Sequence, residues 1–240
     1  VVSGDLPPDT PGQTAGTEVY DDALVAGVRR FQARHNLTAD GILGARTREA
    51  MNVPVGTRID QLRLSLERAR WVLEDTAGEV VVVNVAGYEV FAARNGTPFW
   101  RRRAVVGTQA RETPIFKGSM TYLDLNPTWT VPPTILREDL LPKVRRDPGH
   151  LARQNMTVLD RNGRVVDPAT VNWQAVGSRP PYTFRQGPGP KNALGRIKFM
   201  FPNPHAIFLH DTPARGLFAE AERNFSSGCI RVEDPLSLAE

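Results

Sequence analysis

Glu79-Val-Val-Val-Val-Asn-Val85 and Tyr88-Glu-Val-Phe-Ala-Ala-Arg94, followed by Asn95-Gly96 and Trp100-Arg-Arg-Arg-Ala-Val-Val106, decide the fold. Branched side chains fit a pleated surface better than a helix, so the run around Val80–Val83 reads as a strand. Asn-Gly tolerates positive φ at both central positions of a tight hairpin turn, which joins the second and third segments. The whole is a β-meander beginning after Gly78. Strand signals return at Gly195–Phe201 and Ala206–Leu209, with a helix expected at Arg215–Arg223. Between Pro132 and about Pro181 the strand pattern is interrupted by loops and short helical patches rich in Arg, Asp and Pro, as in an insertion that forms a lid.

Upstream of the meander the apolar period is helical. Thr57–Glu74 reads as a long helix with Thr57 as N-cap and Ile59, Leu62, Leu66, Ala69 and Leu73 on one stripe, linking two domains. Tyr20–His35 carries Tyr20, Ala23, Leu24, Val28 and Phe31 at helical spacing. A shorter helix starts near Ala45 and must end before Pro54. Val1–Thr17, rich in Pro, Gly, Asp and Thr, reads as a linker or loop.

The chain has 240 residues, 40% hydrophobic and 23% charged, enough for one large and one small domain and inconsistent with a disordered tail or a disulfide miniprotein. No run approaches the roughly 20 apolar residues of a membrane span. The net charge is +4. Lysine occurs only at positions 117, 143, 191 and 198, and arginine, suited to carboxylates and phosphates, supplies the rest. These cations are interleaved with acids, and Arg101–Arg103 lies in a strand without aromatic interleaving, which does not describe a nucleic acid surface. A single cysteine, Cys229, excludes an internal disulfide and a multi-cysteine metal site. Val1 opens without methionine or an apolar leader, so a signal sequence is expected upstream.

A lone thiol is inert or reactive. Cys229 stands in Phe225-Ser-Ser-Gly-Cys-Ile-Arg-Val232, where Gly228 permits close backbone approach and the surrounding amides can form an anion nest. His210 ends an apolar strand, and Arg231 shares the face of Cys229 if the chain is extended there. On composition alone Cys229 reads first as a buried small hydrophobe, and taken singly His210 reads as a surface or satisfied strand-end histidine and Arg231 as a solvated charge or the ion-pair partner of Glu233 or Asp234.

Longer stretches narrow this. Phe208-Leu-His-Asp-Thr-Pro213 and Phe225-Ser-Ser-Gly-Cys-Ile-Arg-Val-Glu-Asp-Pro235 resemble the active-site signature of the L,D-transpeptidases, cysteine enzymes that cross-link peptidoglycan. Arg185-Gln-Gly-Pro-Gly-Pro-Lys-Asn-Ala-Leu-Gly195, Lys198–Asn203 and Asn126-Pro-Thr-Trp-Thr-Val-Pro132 are similar to the larger, lid-bearing members. Phe31-Gln32, Asp40-Gly-Ile-Leu-Gly44 and Thr47–Met51 resemble a three-helix peptidoglycan-binding module, whose first helix is expected upstream of Val1 and would cover the exposed faces of Leu24, Val28 and Phe31.

The resemblance implies an α+β fold: a loop at 1–17, a partial binding module at 18–54, a linker helix at 55–77, and a mostly-β catalytic domain at 78–240 with a lid at about 132–181. It implies Cys229 as nucleophile, His210 as base, the amides of Gly228 and Cys229 as oxyanion donors, and Arg231, Ser227, Trp129 and Asn192 as substrate contacts, with Trp129 and Trp173 under the lid. Many relatives carry histidine where Ser227 stands. Serine does not titrate near neutrality and can only hydrogen-bond, to His210 or to substrate. The implied partners are stem peptides and glycan, with carbapenem β-lactams as covalent inhibitors, no cofactor, no metal, and a periplasmic or cell-envelope location. A hydrolase using water as acceptor and a non-catalytic wall scaffold are the alternatives.

Overall fold

A computed structural model describes Asp5 and residues 19–73 and 77–240. Apart from Asp5, the loop expected at 1–17 lies outside the described residues. The chain divides into two compact units, residues 1–76 with 219–222, and residues 77–218 with 223–240.

In the first unit α1 (Asp22–Arg34) is capped by Asp21, whose side chain accepts from the Leu24 amide, and α2 is Ala45–Met51. The spacing of Gln32, Asp40-Gly41 and Thr47 has a physical cause. Buried Gln32 donates through Nε2 to Asp40 Oδ1, the Ile42 carbonyl and Thr47 Oγ1, and its Oε1 accepts from the Gly41 amide at 2.8 Å. Gly41 has φ +79°, and a Cβ there would meet Val25 Cγ1 at 2.8 Å. One amide side chain thus closes the turn between the helices. Val28 and Phe31, expected to be exposed, are buried, and Leu24 is half-buried.

Helix α3 runs Val55–Leu73, so Thr57 is inside the helix rather than its N-cap. Pro54 precedes it and accepts the Arg58 amide, which lets the helix begin two residues earlier. Its expected apolar stripe is open, with Ile59, Leu62 and Leu66 all exposed.

The second unit contains the meander as β1 (Glu79–Asn84), β2 (Glu89–Arg94) and β3 (Thr97–Gly107), paired antiparallel in sequence order. Asn95 and Gly96 have φ +49° and +80°, the hairpin geometry that the Asn-Gly pair predicts. Then come β4 (Tyr122–Leu125) and β5 (Trp129–Thr130). The insertion holds α4 (Pro133–Ile135), a π-helical turn Leu136–Leu140, α5 (Leu141–Arg146), α6 (Gly149–Arg153), β6 (Met156–Leu159) and β7 (Val165–Val166). It closes with β8 (Thr183–Gln186). The remainder is β9 (Ile197–Met200), β10 (Leu209–His210), a 3₁₀ turn Arg215–Ala219, β11 (Asn224–Ser226), β12 (Ile230–Val232) and α7 (Leu236–Ala239).

Two sheets result. The larger has order β1-β2-β3-β12-β10-β9-β4, with β11 paired to β3, and the smaller has order β5-β8-β6-β7. Each has its own core. Val90, Ala104, Val106, Ile197, Phe199, Leu209, Ile230 and Val232 cluster beneath the large sheet. Val131, Leu140, Leu141, Val144, Leu151, Val158, Trp173 and Phe184 cluster within the insertion. The insertion is therefore a mixed α/β subdomain and not only loops and short helices. Two further expectations need correcting as well. Asn203 uses its side-chain amide to hold the Phe201 and Ile207 carbonyls and the Ile207 amide, pinching residues 203–207 into a loop, so β10 pairs only from Leu209. The helix expected to Arg223 is a 3₁₀ turn ending at Ala219, because Arg223 and Asn224 join the edge of β3.

Candidate active site

Strand β10 lies between β12, parallel to it, and β9, antiparallel, with His210 opposite both Arg231 and Lys198. Residues opposite one another share a sheet face, and Cys229, immediately before β12, is close enough for the charges of Lys198 and Arg231 to act on its thiol. Three of the side chains singled out in the sequence, with Lys198 added, thus meet at one end of the sheet.

The loop bearing Cys229 is held from within. Ser226 donates its hydroxyl to the Cys229 carbonyl at 2.5 Å and accepts the Gly228 amide at 3.1 Å. Thr113 Oγ1 donates to the Gly228 carbonyl at 2.7 Å, and the Thr108 amide to the Ser226 carbonyl. Gly228 has φ +109°, and a Cβ there would meet Ile207 Cδ1 at 2.7 Å, so glycine is required on both counts. Because the Gly228 amide is taken up by Ser226, it is not a free oxyanion donor here. The Cys229 amide is not engaged in that loop's own hydrogen bonds.

His210 is buried, and its Nδ1 lies 2.5 Å from the Asp211 carbonyl. A carbonyl only accepts, so Nδ1 carries the proton and Nε2 keeps its lone pair. Burial pushes the imidazole down to about 4, with Arg231 and Lys198 acting in the same direction and the Asp211 carbonyl opposing them. The ring is neutral at neutral pH. The Asp211 carboxylate accepts from the Arg196 amide at 2.9 Å and from Arg215 at 2.5 Å, fixing the turn after His210.

Cys229 is half-buried and its thiol donates to the Ala206 carbonyl at 3.8 Å, not to His210. Burial pushes the thiol up, while a backbone hydrogen bond at Phe208 and the charges of Lys198 and Arg231 pull it down. Burial also lowers Lys198, whose ammonium sits 3.8 Å from the centre of the Phe208 ring. Among the described residues Arg231 has no ion-pair partner, and its buried Nε has no hydrogen-bond partner at all. Glu233 pairs instead with Arg103, and Asp234 with Arg102.

A cleft separates the insertion from this sheet end, in two lobes of about 590 and 450 Å³ that share Trp129, Ile135, Asp139, Lys143, Ala193 and Arg231 as lining. It reaches the loop that bears Cys229 at Ser226–Ser227 and the turn after His210 at Thr212. Trp129 therefore faces the cleft. Trp173 does not: it is buried in the insertion's core with its indole N–H on the Pro168 carbonyl. Asn192 is likewise part of the fold. Its amide nitrogen donates to the Pro127 and Gly187 carbonyls, its oxygen accepts from Leu194, and its neighbour Ala193 lines the cleft in its place. Ser227 accepts from Arg111 at 2.8 Å rather than bonding His210. Sequence reading missed Arg111, Glu138 and Asp139, which carry no periodic signal. Lys198 and Asp211 lay within the matched stretches but were not singled out. Among the described residues no group of three or more His, Cys, Asp or Glu converges as a metal site.

Residues 78–240 match the family model of the YkuD L,D-transpeptidase catalytic domain, and residues 9–51 that of a "putative peptidoglycan binding domain". The chain belongs to the YkuD L,D-transpeptidase family. It is 39% identical over 179 residues to a Haemophilus influenzae protein named "Putative L,D-transpeptidase", a match covering 75% of this chain and 36% of that protein. The aligned region is thus about a third of that relative's length. The binding-domain match begins ahead of α1, in residues outside those described. Two peptidoglycan-acting domains indicate a cell-wall or envelope location, and among the described residues no helix is long and apolar enough to cross a membrane.

Proposed function

We propose that the protein joins the third residues of two peptidoglycan stem peptides through an acyl-enzyme on Cys229, releasing D-alanine. The observation that carries this is a half-buried thiol and a neutral imidazole whose Nε2 keeps its lone pair, both acted on by the charges of Lys198 and Arg231, with Arg231 lining the adjoining cleft. At rest the pair is neutral thiol and neutral imidazole. On substrate binding the thiol rotates from the Ala206 carbonyl and passes its proton to His210 as sulfur attacks the third residue's carbonyl. His210 then returns the proton to the departing D-alanine amine, leaving a thioester. The side-chain amine of a second stem attacks that thioester, and its proton passes through His210 back to sulfur. The Cys229 amide supports the oxyanion. Arg231 takes the stem's carboxylate and Trp129 packs against the peptide.

A reaction on such a substrate belongs in the periplasm. Carbapenems acylate the same thiol. Incubation with a stem tetrapeptide should add a tripeptide acyl group to the intact protein, and Cys229→Ala should abolish both the adduct and D-alanine release. Release by the alanine variant at the parent rate would overturn the assignment. Cross-linked dimer versus free tripeptide among the products separates transfer from hydrolysis.

A further inference from the structure

Arg111, in the loop after β3, faces the same cleft as Arg231. Its Nη1 donates to Asp139 at 2.6 Å and to Ser227 Oγ at 2.8 Å, and its Nη2 to Glu138 at 2.7 Å and Asp139 at 3.2 Å. Glu138 and Asp139 belong to the π-helical turn of the insertion, a rare geometry that turns both carboxylates onto one guanidinium. The planar fork of arginine serves all three acceptors through four hydrogen bonds from two nitrogens. Both acids and Arg231 line the larger lobe, and Asp139 and Arg231 line both lobes. Yet among the described residues Arg231 has no carboxylate partner. A partly desolvated cation beside an unengaged carboxylate would attract it strongly, so an acid in this cleft must be held elsewhere for Arg231 to remain open.

We propose that Arg111 is a positioning residue that holds Glu138 and Asp139 of the insertion, together with Ser227 of the nucleophile loop, so that Arg231 stays uncompensated for the carboxylate of the substrate peptide. The substrate part rests on the function proposed above. The electrostatic part does not. Arg111 never touches the reacting atoms. It removes a competing carboxylate and, through Ser227, fixes the loop that carries Cys229. Severing it would free Asp139 to pair with Arg231 and make the site self-inhibited.

Two thiol alkylating agents that differ only in charge read this directly. Iodoacetate and iodoacetamide both form an Sγ–C bond as the C–I bond breaks and iodide leaves, so the ratio of their rate constants on Cys229 cancels the thiol's own titration. Arg111→Ala should lower the iodoacetate-to-iodoacetamide ratio several-fold, and Arg111→Ala combined with Asp139→Asn should bring it back toward the parent value. With a stem tetrapeptide, Arg111→Ala should raise KM more than it lowers kcat, and the double variant should recover KM. A ratio unmoved by Arg111→Ala, or equally low in the double variant, would show that Arg111 only braces the fold. Should Arg111→Ala not fold, Arg111→Lys with and without Asp139→Asn makes the same comparison, since the three N–H groups of one ammonium nitrogen cannot reproduce four bonds made from two nitrogens of the fork. Ratios that move as stated in a protein that releases no D-alanine would retire the transpeptidase reading and leave the role of Arg111 standing.

Discussion

At His210 two influences act on one proton: burial and nearby cations expel it, and the Asp211 carbonyl retains the one on Nδ1. The folded imidazole titrates at about 4, below its ordinary 6.5. Between those values the unfolded chain binds a proton that the folded chain refuses, so stability from this group is full above about pH 6.5 and falls as pH drops toward 4. The loss amounts to roughly 3 kcal/mol, because each tenfold difference in proton affinity between the folded and unfolded chain is worth about 1.4 kcal/mol. Urea unfolding at pH 7.5 and pH 4.5 should therefore show a steeper loss for the parent than for His210→Asn, which has no imidazole to charge. Equal losses would mean that the ring is hydrated or already protonated in the folded state. Cys229, His210, Gly228 and Arg231 could be singled out because all four lie in short contiguous motifs. Asn192 was misread for the opposite reason: its partners, the Pro127 and Gly187 carbonyls, are brought to it only by the fold.

At the scale of elements the meander was readable because strand period and hairpin chemistry are local. The insertion was recognisable only as an interruption, since β5, β6 and β8 pair across long separations and Trp129 opposes Gln186 in a register that no local pattern encodes. Arg111 escaped notice similarly, as its acids lie 27 and 28 residues away. The insertion's separate core makes a further prediction. Leu151 is fully buried there, so Leu151→Ala should destabilise the insertion by about 2–5 kcal/mol. Because none of the cluster beneath the large sheet belongs to the insertion, amide exchange in β9 and β12 should stay slow while that in β6 and β8 quickens, with D-alanine release falling in step. Uniform quickening in all four strands would make the insertion part of one cooperative core and remove the case for a separately folding lid.

At the scale of the molecule no described residue of the helical unit belongs to either apolar cluster of the catalytic unit, whose members all lie between Val83 and Leu238. The unit's own interior rests on the Gln32 node and on Val28 and Phe31. Its match to a "putative peptidoglycan binding domain" makes binding to the wall the role to test. A variant lacking residues 1–54 should accordingly release D-alanine from soluble stem peptides at close to the parent rate, yet sediment less with intact sacculi. Gln32→Ala gives the finer version, because it leaves the Asp40, Ile42 and Thr47 partners unmet and opens the turn between α1 and α2 without touching the cleft. It should weaken sacculus binding and leave soluble turnover unchanged. Undiminished sedimentation of the shortened variant would place wall affinity in the cleft itself. Loss of soluble turnover would show instead that the helical unit supports the catalytic unit's geometry.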